Sequence, residues 1–145
     1  MQKKSQKITL TQIIVFAISF GIAYFATNYF FFNKKETSNA MLINVSKEMN
    51  ETMPKMIDAE TRLDSTSVEN STLNYHYTLI NIDKDNADWN FDEIKSNMTI
   101  KAQENLDHNP SMKDYRDNEV SLHYIFNDKN QNQLFNYTVK HQKPN

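Results

Sequence analysis

A chain of 145 residues with 23% charged residues, one glycine and no cysteine has room for one domain and excludes several chemistries. Disulfides, thiolate metal sites and cysteine nucleophiles are ruled out, and with the one glycine at position 21 no phosphate-cradling loop, dinucleotide fingerprint or G-x-S-x-G elbow can be written beyond it. All 18 acidic residues follow residue 32, against 13 of the 16 basic ones, so that part carries a formal charge of −5 and is not expected to seek nucleic acid, nucleotides or anionic lipid.

From Ile8 to Phe32 the chain runs without a charge, longer than the ~20 residues an α-helix needs to cross a bilayer. This predicts a transmembrane helix. Lys3, Lys4 and Lys7 precede it and Lys34 and Lys35 follow beside Glu36, so residues 1–7 are expected in the cytoplasm, with 33–40 as a linker and 41–145 as an extracytoplasmic domain. The expected location is therefore the bacterial inner membrane, as a single-pass signal anchor. The alternative is export followed by signal cleavage, against which count the length of the run and the absence of a small-x-small site in "NYFFF".

Met41, Leu42, Val45, Met49, Met53 and Met56 recur at steps of three to four, the stripe of an amphipathic helix between about Glu36 and Ile57 that Pro54 should end or kink. Residues 61–68 and 73–82 then read as an antiparallel hairpin, with Tyr75, Tyr77 and Leu79 on one face and Asn74, His76, Thr78 and Ile80 on the other. Asn90, with Glu93 three residues on, is the expected N-cap of a helix whose apolar stripe is Phe91, Ile94, Met98, Ala102 and Leu106, and Pro110 stops it. Alternation predicts a strand at 119–126 and another at 133–141, with Phe135, Tyr137 and Val139 inward. The predicted fold class is α+β: after the membrane helix, a two-layer domain of order α-β-β-α-β-β with a mostly antiparallel four-stranded sheet.

Few of these residues offer chemistry. His76, His108, His123 and His141 lack metal-ligand spacing, although His76 and His123 could meet across the sheet; neither a metal nor a cofactor is expected. "DKDNADWNFDE" fails as a calcium loop because Ala87 and Asp88 occupy the fifth and sixth positions, and it reads as a strand-to-helix connection whose carboxylates favour the helix N-terminus. Two charged clusters stand out. Asp58, Glu60, Arg62 and Asp64 alternate along "MIDAETRLDS", and Asp114, Arg116 and Asp117 gather in "KDYRDNE". Paired carboxylates could act as acid and base on a glycoside, but a flanking arginine depresses their pKa values and spoils the acid. No catalytic residue is assigned. These seven residues are instead the candidate binding residues, since the planar fork of arginine holds carboxylates in two-pronged fashion and these are the chain's two arginines among 14 lysines.

The sequences D-x-E-T-R-L-D at 58–64, Y-x-Y-T-L at 75–79 and N-P-x-M-x-x-x-R-D-N at 109–118 resemble, in order and spacing, a group of small bacterial exported or membrane-anchored proteins of uncharacterised function. The resemblance implies a domain and a location. Members of that group often carry a cysteine shortly before the N-P pair; here Leu106, Asp107 and His108 stand there, so a disulfide of that kind is absent. The resulting expectation is a membrane-anchored envelope protein with a non-enzymatic protein- or ligand-binding module and an envelope protein as partner. Two alternatives stand beside it: an envelope hydrolase using the carboxylates of 58–64, and a self-associating structural component assembled through the small-x-x-x-small pair Ala17 and Gly21.

Overall fold

The structure, a computed structural model, describes residues 38–143. The expected membrane helix at 8–32 and cytoplasmic residues 1–7 lie outside them; among the described residues no helix is long and apolar enough to cross a membrane.

Helix α1 (Ser38–Asn50) buries Met41, Leu42, Val45 and Met49, the first part of the expected stripe. The stripe does not continue to Met56. Pro54 cannot donate to a helical carbonyl, and the chain beyond it runs as a two-residue strand, β1 (Lys55–Met56), on which Met56 is 45% exposed. This short strand raises the count from the expected four to five. Lys55 pairs with Leu63 and Met56 with Arg62, both on β2 (Thr61–Glu69). The others are β3 (Thr72–Leu79), β4 (Ser121–Asn127) and β5 (Gln133–Lys140), in spatial order β1-β2-β3-β4-β5. The sheet is mixed, because β3 and β4 lie parallel while every other pair is antiparallel. Parallel neighbours need a crossover connection, which helix α2 (Phe91–His108) supplies.

Local chemistry sets each boundary. β2 and β3 are joined through Asn70 and Ser71, both at positive φ (45° and 61°), the pairing of left-handed residues that matches the twist of a tight hairpin. The side chain of Asn90 accepts from the Glu93 N–H at 3.2 Å, capping α2 as expected. Ile94, Met98, Ala102 and Leu106 are buried along that helix. A 3-10 turn (Pro110–Met112) and a short helix α3 (Lys113–Asp117) lead into β4.

The helices cover one face of the sheet, and that face is a grid of matched rows. Leu73, Leu122 and Val139 are in register across β3, β4 and β5; next to them stand Tyr75, Tyr124 and Tyr137, then Tyr77, Phe126 and Phe135. The rings stack along each row, with centroids 5.2 Å apart for Tyr75–Tyr124 and 4.9 Å for Tyr124–Tyr137, and 4.8 Å for both Tyr77–Phe126 and Phe126–Phe135. Such pairs contribute roughly 0.5–1.5 kcal/mol each beyond the area they bury.

Candidate functional site

The segment "MIDAETRLDS" divides between a turn and a strand. Asp58 and Glu60 sit in the β1–β2 connection, not on an extended face: Asp58 Oδ1 accepts the backbone N–H groups of Glu60 (2.7 Å) and Thr61 (2.8 Å), and Asn81 donates to Glu60 Oε2 at 2.8 Å. Arg62 and Asp64 do lie on the uncovered face of β2, where Arg62 Nε meets Asp64 Oδ1 at 2.5 Å. Asp64 Oδ2 accepts from the Thr78 hydroxyl at 2.5 Å, and Gln131 donates to that hydroxyl at 3.1 Å, so the pair belongs to a chain of bonds running across the open face. The strand bulges at Asp64: Leu63 opposes Tyr77 but Ser65 opposes His76. The extra residue resets the alternation, so that Thr61 and Leu63 before it and Thr66 after it all point inward.

The second cluster sits on α3 and its C-terminal end. Arg116 Nη1 donates to the carbonyls of Leu106 (2.7 Å) and Asn109 (2.8 Å), tying down the C-terminal end of α2. Asp117 pairs with Lys113, which holds the carboxyl below its ordinary range, and the backbone carbonyl of Asp114 accepts from Asn118. Arg62 is thus placed on a strand of the open sheet face and Arg116 beneath a helix end.

His76 and His123 lie on adjacent strands but are not opposed: His123 pairs in register with Asn74 and His76 with Ile125, which leaves the two imidazoles as diagonal neighbours. Burial, and then the neighbouring His123, push the His76 imidazole below its ordinary value against the pull of Asp64, while its Nε2 lies 3.0 Å from the Ser67 hydroxyl. Among the described residues no group of three or more metal-ligating side chains gathers.

Two features were missed by sequence reasoning. An open groove runs between α1 and the edge of β2, lined by Ile43, Ser46, Lys47, Asn50 and Val68. Ile43 is 52% exposed; the available signal was its position outside the buried stripe of α1. The other is Asp128, fully buried at the β4–β5 turn, whose carboxylate accepts from the N–H groups of Lys84 (3.0 Å), Asn130 (2.8 Å) and Asn132 (2.8 Å). Burial alone would raise its pKa, but these donors outweigh it and hold the group at about 2. An Asp in a turn-rich "NDKNQN" was the cue.

The fold has relatives among solved structures. A candidate secreted protein from Pseudomonas aeruginosa superposes with a TM-score of 0.54 at 18% identity, over 72% of this chain and 88% of that one. The pilotin EpsS of the Vibrio vulnificus type II secretion system gives 0.53 at 11% identity, covering 70% and 86%. The type II secretion pilotin AspS from Vibrio cholerae gives 0.50 at 13% identity, covering 70% and 87%. At these identities the likeness is one of fold. No curated protein matches the sequence. Residues 36–135 match DUF8479, a domain of unknown function, and the chain belongs to that family.

Proposed function

We propose that this is a bacterial envelope protein whose exported domain is a binding module for another envelope protein, held at the inner membrane by residues 8–32. The observation that carries the reading is how the surface is divided. In the 58–64 segment one oxygen of Asp58 is taken up by a turn, Glu60 is bonded by Asn81 and Asp64 by Arg62 and Thr78. The groove beside α1 instead presents the apolar side chains of Ile43 and Val68 next to Lys47. Two of the structural relatives are named as pilotins of type II secretion systems, which supports this reading through the shared fold. The uncharged run at 8–32 supports an anchor at that membrane. Arg62 and Asp64, partly exposed on the open sheet face, form a second contact surface in this reading.

A photo-cross-linking residue placed at Ile43 of the full-length chain tests this in intact cells. The expected result is one discrete adduct with a different envelope protein, absent when the probe sits at exposed Asn97 and lost on Val68→Asp. Adducts of equal yield at Ile43 and Asn97, or none at either, would overturn the assignment of the groove.

A further inference from the structure

Inward Tyr75 and Tyr77 put His76 on the open face of the sheet, and inward Leu122 and Tyr124 put His123 there too. Register then brings the two rings together. Ser67 pairs with Asn74 and Asn74 with His123, so these three form one row across β2, β3 and β4. His76 starts two residues further along β3, but its ring leans back to that row, since its Nε2 lies 3.0 Å from the Ser67 hydroxyl. The imidazoles are near enough for the charge of one to act on the other. With strands about 4.8 Å apart and a rise of about 3.3 Å per residue, their backbone anchors are separated by roughly 8 Å. Two rings with one ion between them, at about 2.0–2.1 Å per bond, bridge such a span.

The bonding of each ring points the same way. His123 Nε2 is buried and has no hydrogen-bond partner among the described residues, a costly condition for a nitrogen that carries either a proton or a lone pair. For His76 an outer partner is in place. Ser67 Oγ, which also receives a bond from Asn74 Nδ2 at 3.3 Å, can accept the Nε2–H, and in that tautomer Nδ1 holds the lone pair. A metal-ligating histidine has this arrangement, one nitrogen on the ion and the other donating outward. Oxygen and sulfur ligands are not on offer. Asp64, the carboxylate whose charge reaches His76, has one oxygen on Arg62 and the other on Thr78, and the chain has no cysteine. Two neutral imidazoles suit zinc, copper or nickel, whereas calcium and magnesium require oxygen.

We propose that His76 and His123 together bind one divalent transition-metal ion on the open face of the sheet, His76 through Nδ1 and His123 through Nε2, with water at the remaining positions. Two protein ligands make an open, exchangeable site, unlike the closed four-ligand sites that hold a fold together. The ion bridges β3 and β4, the parallel pair inside the sheet. Neither histidine lines the groove beside α1, so the site does not depend on what that groove binds.

The chain's four histidines make the test compact. Full-length protein in detergent is titrated with copper(II) chloride, followed by calorimetry and by pulsed electron paramagnetic resonance. The expected result is one saturable equivalent with two coordinated imidazoles. His76→Gln and His123→Gln should each weaken it by at least about tenfold, the loss that even an outer partner brings, and Ser67→Ala should weaken it by a smaller factor. His108→Gln and His141→Gln should leave it unchanged. Zinc(II) chloride should raise the melting temperature of the unmodified chain but not of His76→Gln, and an unchanged metal-free melt of His76→Gln shows that the variant is folded. The imidazole count needs no variant, so fewer than two in the unmodified chain overturns the proposal even if a glutamine variant fails to fold. The absence of a saturable site, or equal losses from all four histidine substitutions, which would mark adventitious surface binding, overturns it as well.

Discussion

Arg62 and Arg116 carry the same charge and stand in similar sequence company, but they do different work. Leu106 sits four residues before Pro110, which has no N–H, so the Leu106 carbonyl lacks its ordinary helical donor. Arg116 supplies that donor, and a second bond to Asn109. Arg62 makes an ion pair in which its side chain is 37% exposed and that of Asp64 24%. Hydrogen bonds from a charged group to partly buried carbonyls contribute about 1.5–3 kcal/mol, whereas an exposed pair contributes about 0–1 kcal/mol. Arg116→Ala should therefore lower the melting temperature by roughly 6–24 °C and Arg62→Ala by a smaller amount, at most about 8 °C, at about 4–8 °C per kcal/mol for a domain of this size. Similar losses from the two substitutions would contradict this assignment. The sequence pattern placed both arginines among carboxylates and missed the carbonyls. The clue was present in "LDHNP", because a proline four residues after a helical leucine leaves a carbonyl that something must satisfy.

At the scale of an element, the turn between β4 and β5 is organised by one carboxylate. Asp128 gathers donors from its own turn, and through Lys84 it also fastens the segment that leads from β3 to α2; Lys129 adds a backbone bond to Ile82 at 2.9 Å and an ion pair to Asp83 at 3.3 Å. Its pKa falls from 3.8 to about 2 on folding, so the folded state favours the charged form. The stabilisation this supplies is complete above pH 4 and is lost as the pH falls through the interval from about 4 to about 2. Thermal melts over that range should show a steepening acid limb that Asp128→Asn flattens, because the amide no longer titrates and presents an NH₂ where the Lys84 N–H expects an acceptor. An unchanged acid limb in Asp128→Asn would assign the loss to other carboxylates. Alternation located the flanking strands to within a residue or two, since period-two patterning follows from burial of one face. It could not reveal a bond from Lys84 to Asp128, which spans 44 positions and exists only once the strands are laid side by side.

Across the whole molecule, the registered rows of β3, β4 and β5 explain why one short chain makes a single core. The inward residues of β5, the alternation of β3 and β4, and the buried stripes of the helices up to Met49 and Leu106 were legible from the sequence. Their order in space was not, because a parallel β3–β4 pair and a two-residue β1 leave no periodic trace. The rows also set a cost. Tyr124, fully buried in the middle strand, and Tyr137 beside it carry hydroxyls with no hydrogen-bond partner among the described residues, and burial pushes both phenols well above their ordinary pKa. Each buried, unpaired hydroxyl costs roughly 1–3 kcal/mol. Stacking needs only the ring, so Tyr124→Phe keeps the contacts to Tyr75 and Tyr137 while removing the unpaired group. The substitution should raise the melting temperature by several degrees, and Tyr124→Leu, which also removes the ring, should lower it. If Tyr124→Phe instead destabilises the chain, the hydroxyl is bonded in solution and the cost assigned to it is wrong.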